Sequence, residues 1–171
     1  MPRIGLLSDS HGQAPTTHQA VEVLLSRGAE LLIHLGDVGS AEVLDALARP
    51  AEGGGMVETH VIFGNSDWDE RALSRYAADL GLQVDHPAGR IELAEGPLVF
   101  CHGHQHEVIR QALAEPVRYL CHGHSHRAED RREGETRIIN PGALFRARRY
   151  SVAVLDTDAD QLAFYDVEPP A

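Results

Sequence analysis

The segment Cys121-His122-Gly123-His124-Ser125-His126 places three histidines within five positions. Residues i and i+2 of an extended segment point the same way, and a glycine lets the backbone fold tightly. Such a segment is suited to surround a cation, although a short histidine tract is a weak signal on its own. Its meaning therefore depends on the polar residues elsewhere in the chain.

Four further polar motifs occur along the chain, and each one follows a short apolar run. They are Asp9-Ser10-His11, Gly36-Asp37, Gly64-Asn65-Ser66-Asp67 and His102-Gly103-His104. Five polar segments at the ends of five predicted strands indicate one site that is assembled from both halves of the chain.

The first half of the chain alternates between strand and helix patterns. Strands are predicted at 4–7, 31–35 and 57–63, and helices at 17–27, 41–48 and 70–80. Gly28 is a fitting stop for the first helix, and Ser40 is expected to cap the second. This alternation predicts an α/β fold built from βαβ units.

The second half of the chain has the pattern of a β-rich region. Residues 91–93 and 98–101 flank Glu95-Gly96-Pro97, which is a hairpin signal. A short helix is predicted at 108–114, and strands at 119–121, 137–139, 151–155 and 161–165.

Length and charge restrict the class of protein. The chain has 171 residues and a formal net charge of −11, and it is expected to form one domain over residues 1–171. The acidic charge argues against binding to an extended nucleic acid, but it leaves a small anionic substrate open because bound cations reverse the local field.

Cys101 and Cys121 form no CxxC pair, and no apolar run reaches the length of a membrane span, so we expect a cytoplasmic protein without membrane contact.

The conspicuous polar residues form a set of oxygen and nitrogen donors. This mixture suits manganese, iron, zinc or nickel better than calcium, and the absence of paired cysteines argues against a structural zinc site. Seven donors are too many for one ion that leaves room for a substrate, so two divalent ions that share a carboxylate are predicted, with manganese as the first choice. The donors are Asp9, His11, Asp37, Asn65, His102, His124 and His126.

The order of these motifs resembles that of the calcineurin-like metallophosphoesterase superfamily, in particular its small bacterial and archaeal phosphodiesterases. The resemblance extends over about residues 4–165 and includes Asn140-Pro141-Gly142-Ala143, which is similar to a turn common in that subgroup. It implies a four-layer αββα sandwich of two mixed sheets flanked by helices, without a cap domain. The metals would lie at the carboxyl ends of the strands.

The resemblance also implies a role for each motif residue. Asp37 would bridge the two metals, Asn65 would also reach the substrate phosphoryl group, and Asp67 would orient its neighbours. A hydroxide between the metals would attack a small phosphodiester, with nucleotide-derived compounds among the candidate substrates. The first metal would be held by Asp9, His11, Asp37 and His126, and the second by Asp37, Asn65, His102 and His124.

One position departs from the pattern of the family. Many members have a histidine after Gly-Asn, where this chain has Ser66, and a serine is not a general acid near neutral pH. We therefore expect His104 to fill part of that role, although a solvated His104 remains open. Arg146, Arg148 and Arg149 are read as a solvated basic strand end, with contact to substrate phosphate as the alternative.

A second function class remains open. The chain could be a binding scaffold with little catalysis, like the retromer subunit of this superfamily, which also lacks the usual histidine. Each expected metal position holds a competent donor, which favours the enzyme. Aromatic residues make up only 5% of the chain, which leaves little material for an apolar partner surface. An oligomer also remains open.

Overall fold

The structure is a computed structural model that describes residues 2–170. That range contains four helices and eleven strands. The helices are α1 (Ala14–Ser26), α2 (Ala41–Leu47), α3 (Glu70–Asp79) and α4 (His106–Ala112). The strands are β1 (Arg3–Leu7), β2 (Leu31–Leu35), β3 (Glu58–Ile62), β4 (Gln83–Val84), β5 (Ala88–Ile91), β6 (Leu98–Cys101), β7 (Tyr119–Cys121), β8 (Ala128–Glu133), β9 (Thr136–Pro141), β10 (Ser151–Asp156) and β11 (Gln161–Asp166).

The strands form two mixed sheets. The first has the order β11-β10-β1-β2-β3-β4. In it β1 to β4 are parallel, β10 pairs antiparallel with β1, and β11 pairs antiparallel with β10. The second has the order β5-β6-β7-β9-β8, with β6, β7 and β9 parallel and an antiparallel strand at each edge. All five residues of Leu31–Leu35 are buried, which suits a parallel strand that is covered on both faces.

Three apolar cores define four layers. Between the sheets, Leu6 and Ile33 pack with Phe100 and Ile139 of the other sheet. Helices α1 to α3 cover the outer face of the first sheet, and α4 packs on the outer face of the second. The predicted αββα sandwich is confirmed.

Helix boundaries follow local chemistry. Helix α1 begins three residues before the predicted start, with a proline in its first turn, and the chain leaves it at Gly28 with φ of +83°. Asp69 caps α3 by accepting the backbone N–H of Ala72 at 3.1 Å. Ser40 occupies the N-cap position of α2, but its side chain makes no capping hydrogen bond, so the expected cap is wrong in that respect.

Two strands differ from the sequence prediction. Strand β8 is an exposed edge strand of sequence AEDRRE. Its charged residues lack the alternation of apolar and polar positions by which a strand is predicted from sequence. Strand β4 has only two residues and pairs with β3. Among residues 2–170, none of the helices combines the length and apolar composition of a membrane-crossing segment.

Candidate metal centre

The polar motifs lie where parallel strands end. Strand β1 leads into Asp9 and His11, β2 into Asp37, and β3 into Asn65. In the second sheet, β6 leads into the 102–104 motif and β7 into the 122–126 motif. Because the carboxyl ends of neighbouring parallel strands share one edge of a sheet, the two sheets together bring these loops to one end of the sandwich.

Five of the predicted donors have left-handed backbone conformations. Such φ values are uncommon for residues other than glycine, although aspartate and histidine tolerate them better than most. The loops are held in place by backbone hydrogen bonds, in which the N–H groups of Asp9 and His11 donate to the carbonyls of Gly36 and Asp37 at 3.0 and 2.8 Å. The strained backbone is therefore concentrated at the site. The φ values are +56° at Asp9, +45° at His11, +56° at Asp37, +67° at His124 and +57° at His126.

Asp9, His11, Asp37 and His126 form a compact donor cluster. One ligand atom from each lies within 4.8 Å of the others. His11 Nε2 is 3.3 Å from Asp37 Oδ2, and His126 Nε2 is 3.2 Å from Asp9 Oδ1. Two imidazole nitrogens and two carboxylates that converge on one point form a set that could hold a divalent metal ion.

The carboxylate of Asp9 is oriented so that one oxygen is free for a cation. Its Oδ2 accepts hydrogen bonds from Ser8 Oγ at 2.6 Å and from the backbone N–H of His124 at 3.1 Å. Its Oδ1 is buried and accepts no hydrogen bond within residues 2–170. A buried carboxylate oxygen that accepts no hydrogen bond is costly, and a bound cation would satisfy it.

Asp37 lies between the two halves of the site. Its Oδ2 is 3.3 Å from His11 Nε2 and 3.4 Å from His102 Nε2. Ser66 donates its backbone N–H to Oδ1 at 2.9 Å and its hydroxyl to Oδ2 at 3.1 Å. Burial would raise the pKa of Asp37, but hydrogen bonds from His102 and Ser66 outweigh burial and hold this pKa well below its usual value.

A looser group surrounds His102. Its Nε2 is 3.2 Å from Asn65 Oδ1, while its Nδ1 donates to the carbonyl of Leu35 at 2.7 Å. That bond fixes the ring and leaves Nε2 as the nitrogen facing the site. The ring of His124 contacts that of His102 edge-on at 5.2 Å, and burial is the largest cause of a lowered pKa at His124. A neutral imidazole is the form that binds a metal.

Two glycines permit the close packing of these donors. A Cβ at Gly64 would collide with Asp37 Oδ1 and lie 2.7 Å from His102 Nε2. A Cβ at Gly123 would collide with Ser8 Oγ and lie 2.8 Å from Asp9 Oδ2. The Asp9 oxygen that accepts no hydrogen bond, the donor set and these close approaches all fit a divalent cation.

Asp67 joins two loops below the donors. Its Oδ2 accepts the N–H groups of Gly64 at 2.8 Å and Val38 at 3.1 Å, and its Oδ1 accepts the N–H of Gly39 at 2.7 Å. Burial raises the pKa of Asp67, and the three backbone hydrogen bonds oppose that rise. All three of these hydrogen bonds come from backbone N–H groups, which suits the expected orienting role.

His104 lies beside the His102 group. Its ring is 5.3 Å from the ring of His102 and 6.0 Å from that of His124. Its Nδ1 is buried and has no hydrogen-bond partner within the described residues. Burial, followed by the charges of His102 and His124, lowers the pKa of His104, so at neutral pH less of it carries the proton that a general acid donates than for an ordinary histidine.

Some supporting residues were not predicted from the sequence. Asn140 is fully buried and donates its amide to the carbonyl of Gly123 at 2.9 Å and to Ser125 Oγ at 3.0 Å, so it shapes the 122–126 loop. The Asn140-Pro141-Gly142-Ala143 motif resembles a turn of the family, but the sequence alone does not indicate this role. Ser8, which orients Asp9, gave no signal beyond its place in a buried run.

A buried polar network lies behind the Asp9 turn. His34 Nε2 is 2.8 Å from Ser10 Oγ, to which Thr17 donates its hydroxyl at 3.0 Å. The N–H of Gly36 donates to His34 Nδ1 at 3.3 Å, which assigns the proton to Nε2. Burial is the largest cause that lowers the pKa of His34 to about 3.

Comparison with known proteins identifies similar chains. The model of the calcineurin-like phosphoesterase superfamily domain matches residues 2–160. The phosphodiesterase MJ0936 of Methanocaldococcus jannaschii is 24% identical over 113 residues, which are 64% of this chain and 64% of that protein. The match therefore spans less than two thirds of that relative.

Two solved structures share the fold. An archaeal phosphodiesterase superposes with a TM-score of 0.82 at 22% identity, covering 96% of this chain and 99% of that one. The phosphoesterase Yfce of E. coli superposes with a TM-score of 0.70 at 22% identity, covering 97% of this chain and 100% of that one. At these identities the two likenesses establish the architecture.

Proposed function

The chain belongs to the calcineurin-like phosphoesterase superfamily, and on this basis we propose that it is a metal-dependent phosphodiesterase with two divalent ions at the described centre. The observation that carries the proposal is the position of Asp37 Oδ2, which is nearly equidistant from His11 Nε2 and His102 Nε2. A carboxylate placed between two donor groups is what a shared ligand of two ions requires.

The donors divide into two sets around Asp37. We assign Asp9, His11, Asp37 and His126 to the first ion, and Asp37, Asn65, His102 and His124 to the second. When bound, such a pair of ions lowers the pKa of a water molecule and stabilises charge on the oxygens of an in-line phosphoryl displacement. Manganese is the first choice among manganese, iron, zinc and nickel.

The other residues hold and complete this centre. Asp67 keeps the loops at 36–39 and 64–67 together, so the donors are positioned before a substrate arrives. Asn65 presents its amide at the edge of the second set, where it would contact the phosphoryl group. Ser66 is engaged with Asp37, so it is not free to assist the leaving group.

His104 is the group proposed to assist the leaving oxygen. Burial and the charges of His102 and His124 lower its pKa, so it would act as a neutral imidazole that donates a hydrogen bond, which is weaker assistance than full proton transfer. Such weak assistance favours substrates whose leaving groups need little protonation, and we propose that these substrates are small phosphodiesters, with nucleotide-derived compounds among them. Two free, buried cysteines suit a reducing compartment, and we propose a cytoplasmic location.

Hydrolysis of bis-p-nitrophenyl phosphate and p-nitrophenyl phosphate tests the proposal. Each would be measured in chelator and with added Mn²⁺, for the native chain, for Asp37→Ala and for the exposed-site control Asp79→Ala. We expect Mn²⁺-dependent turnover that is faster on the diester, is lost in Asp37→Ala and is kept in Asp79→Ala. Turnover that survives Asp37→Ala would overturn the assignment.

The scaffold function has one observation in its favour. Trp68, the single tryptophan of the chain, is 94% exposed immediately after the Gly64-Asn65-Ser66-Asp67 motif. A native chain that binds Mn²⁺ and hydrolyses neither substrate with any divalent metal would favour the scaffold.

A further inference from the structure

Residues 140–146 connect the two halves of the metal centre. Asn140 donates to the carbonyl of Gly123, and at the other end the backbone N–H of Leu144 donates to the carbonyl of Asp9 at 3.3 Å. The segment is thereby tied to the 122–126 loop and to the Asp9 turn. The two residues that follow Leu144 are held in a fixed position relative to both.

Phe145 and Arg146 form a stack that starts at a proposed metal ligand. The ring of Phe145 lies 5.3 Å from the ring of His11, at 45° to it. The guanidinium carbon of Arg146 lies 5.1 Å from the centroid of Phe145. A guanidinium over an aromatic ring is oriented by the ring, while its N–H groups at the edge remain available to an anion.

The charge of Arg146 is not neutralised by the protein. Nine of the fifteen arginines form an ion pair with a carboxylate, but Arg146 forms none within residues 2–170. It is exposed, in a chain with net charge −11 that offers many acidic partners. Its φ of +46° is also unusual for an arginine, so the backbone accepts strain where this side chain projects.

We propose that Arg146 forms an anion subsite beside the first metal position and binds a second phosphate of the substrate. This inference rests on the proposed phosphodiesterase function and refines its substrate class to phosphodiesters that carry an additional phosphate group. The reacting phosphoryl group would lie at Asp37, and the second phosphate would lie on the His11 side. A guanidinium can bind such a group with two parallel charge-assisted hydrogen bonds.

Binding of two nucleotides tests the subsite without requiring turnover. Thymidine 5′-monophosphate and thymidine 3′,5′-bisphosphate would be titrated calorimetrically into the Mn²⁺-loaded protein. The variants would be Arg146→Gln, the charge-preserving Arg146→Lys and the control Arg148→Gln, which removes an exposed arginine that likewise forms no ion pair in the described chain. Hydrolysis of bis-p-nitrophenyl phosphate by the native chain would be measured in parallel, because it reports on the proposed function alone.

We expect the native chain and Arg148→Gln to bind the bisphosphate about tenfold more tightly than the monophosphate. Arg146→Gln should lose this preference, and Arg146→Lys should keep part of it. Equal binding of the two nucleotides by the native chain, binding of neither, or an unchanged preference in Arg146→Gln would overturn the subsite. If bis-p-nitrophenyl phosphate is hydrolysed but the preference is absent, the subsite is wrong and the phosphodiesterase function stands.

Discussion

His124 donates its backbone N–H to Oδ2 of Asp9 at 3.1 Å, so a residue after β7 orients a carboxylate that follows β1. The same carboxylate directs its other oxygen toward His126. The two sheets are therefore linked at the metal centre by Asp9, His124 and His126, in addition to the apolar core between them. Loops that shape this contact should control metal affinity even when they supply no ligand.

Asn140→Ala should weaken metal binding. The substitution removes the amide that donates to Gly123 and Ser125, so the loop carrying His124 and His126 loses its support. We expect a loss of about 10- to 100-fold in Mn²⁺ affinity, the range typical of residues that orient ligands. Ser125→Ala removes only one of these contacts and should have a smaller effect. Equal Mn²⁺ affinity in Asn140→Ala and the native chain would contradict this role.

Asp67→Asn should destabilise the fold. The carboxylate accepts three backbone N–H groups, whereas an amide presents one oxygen and places an NH₂ group against a donor. We expect the free energy of unfolding in chelator to fall by about 1–3 kcal/mol. Urea denaturation of this variant beside Asp79→Asn, at an exposed position on α3, measures the effect. A variant as stable as its control would show that the loops are held by other contacts.

His34 should make stability depend on pH. In the unfolded chain His34 takes up a proton below its ordinary pKa of 6.5, but in the folded protein it does so only near pH 3. The unfolded state therefore binds more protons in this window, and the free energy of unfolding should fall as the pH decreases from about 6.5 towards 3, by at most about 1.4 kcal/mol per pH unit.

The His34→Gln variant separates this contribution from those of the other titrating groups. Denaturation of metal-free protein at several pH values should give a flatter pH dependence for the variant than for the native chain. Two parallel curves would contradict the assignment.

The sequence predicted the parts of the fold that depend on apolar patterning and on strand order. Strands β1 and β2 are mostly apolar, β3 ends in Val61-Ile62, and each of the three leads into a polar motif at the shared edge. The sequence alone therefore predicts that the polar motifs lie close together at this edge. Strand β8 could not be predicted, because it is an exposed, charged segment whose strand conformation comes from pairing with β9 and not from burial of apolar side chains.

Several features of the site depend on contacts between distant residues. The left-handed conformations at His11 and Asp37 occur in two loops that follow neighbouring strands and form backbone hydrogen bonds with each other. The free oxygen of Asp9 depends on Ser8 and on His124, which lies 115 residues away. No local sequence pattern specifies such partners. The resemblance to a family supplied the ligand assignments, and the structure supplied the geometry that supports them.

His104→Ala should slow the hydrolysis of substrates with poor leaving groups. If His104 donates a hydrogen bond to the leaving oxygen, diphenyl phosphate should lose about tenfold or more in rate, and bis-p-nitrophenyl phosphate should lose less because its leaving group needs little assistance. His106→Ala, at the start of α4, is the matched control and should affect neither substrate. An unchanged rate on diphenyl phosphate would exclude His104 from this role.

The most direct test of the dinuclear centre is a titration of metal-free protein with Mn²⁺, followed by electron paramagnetic resonance and by bound metal per chain. The shared position of Asp37 Oδ2 between His11 and His102 predicts two ions per chain with a spin-coupled signal. Asp37→Ala should abolish the coupled signal. A native chain that binds a single uncoupled ion, or an Asp37→Ala variant that keeps the coupled pair, would contradict the account.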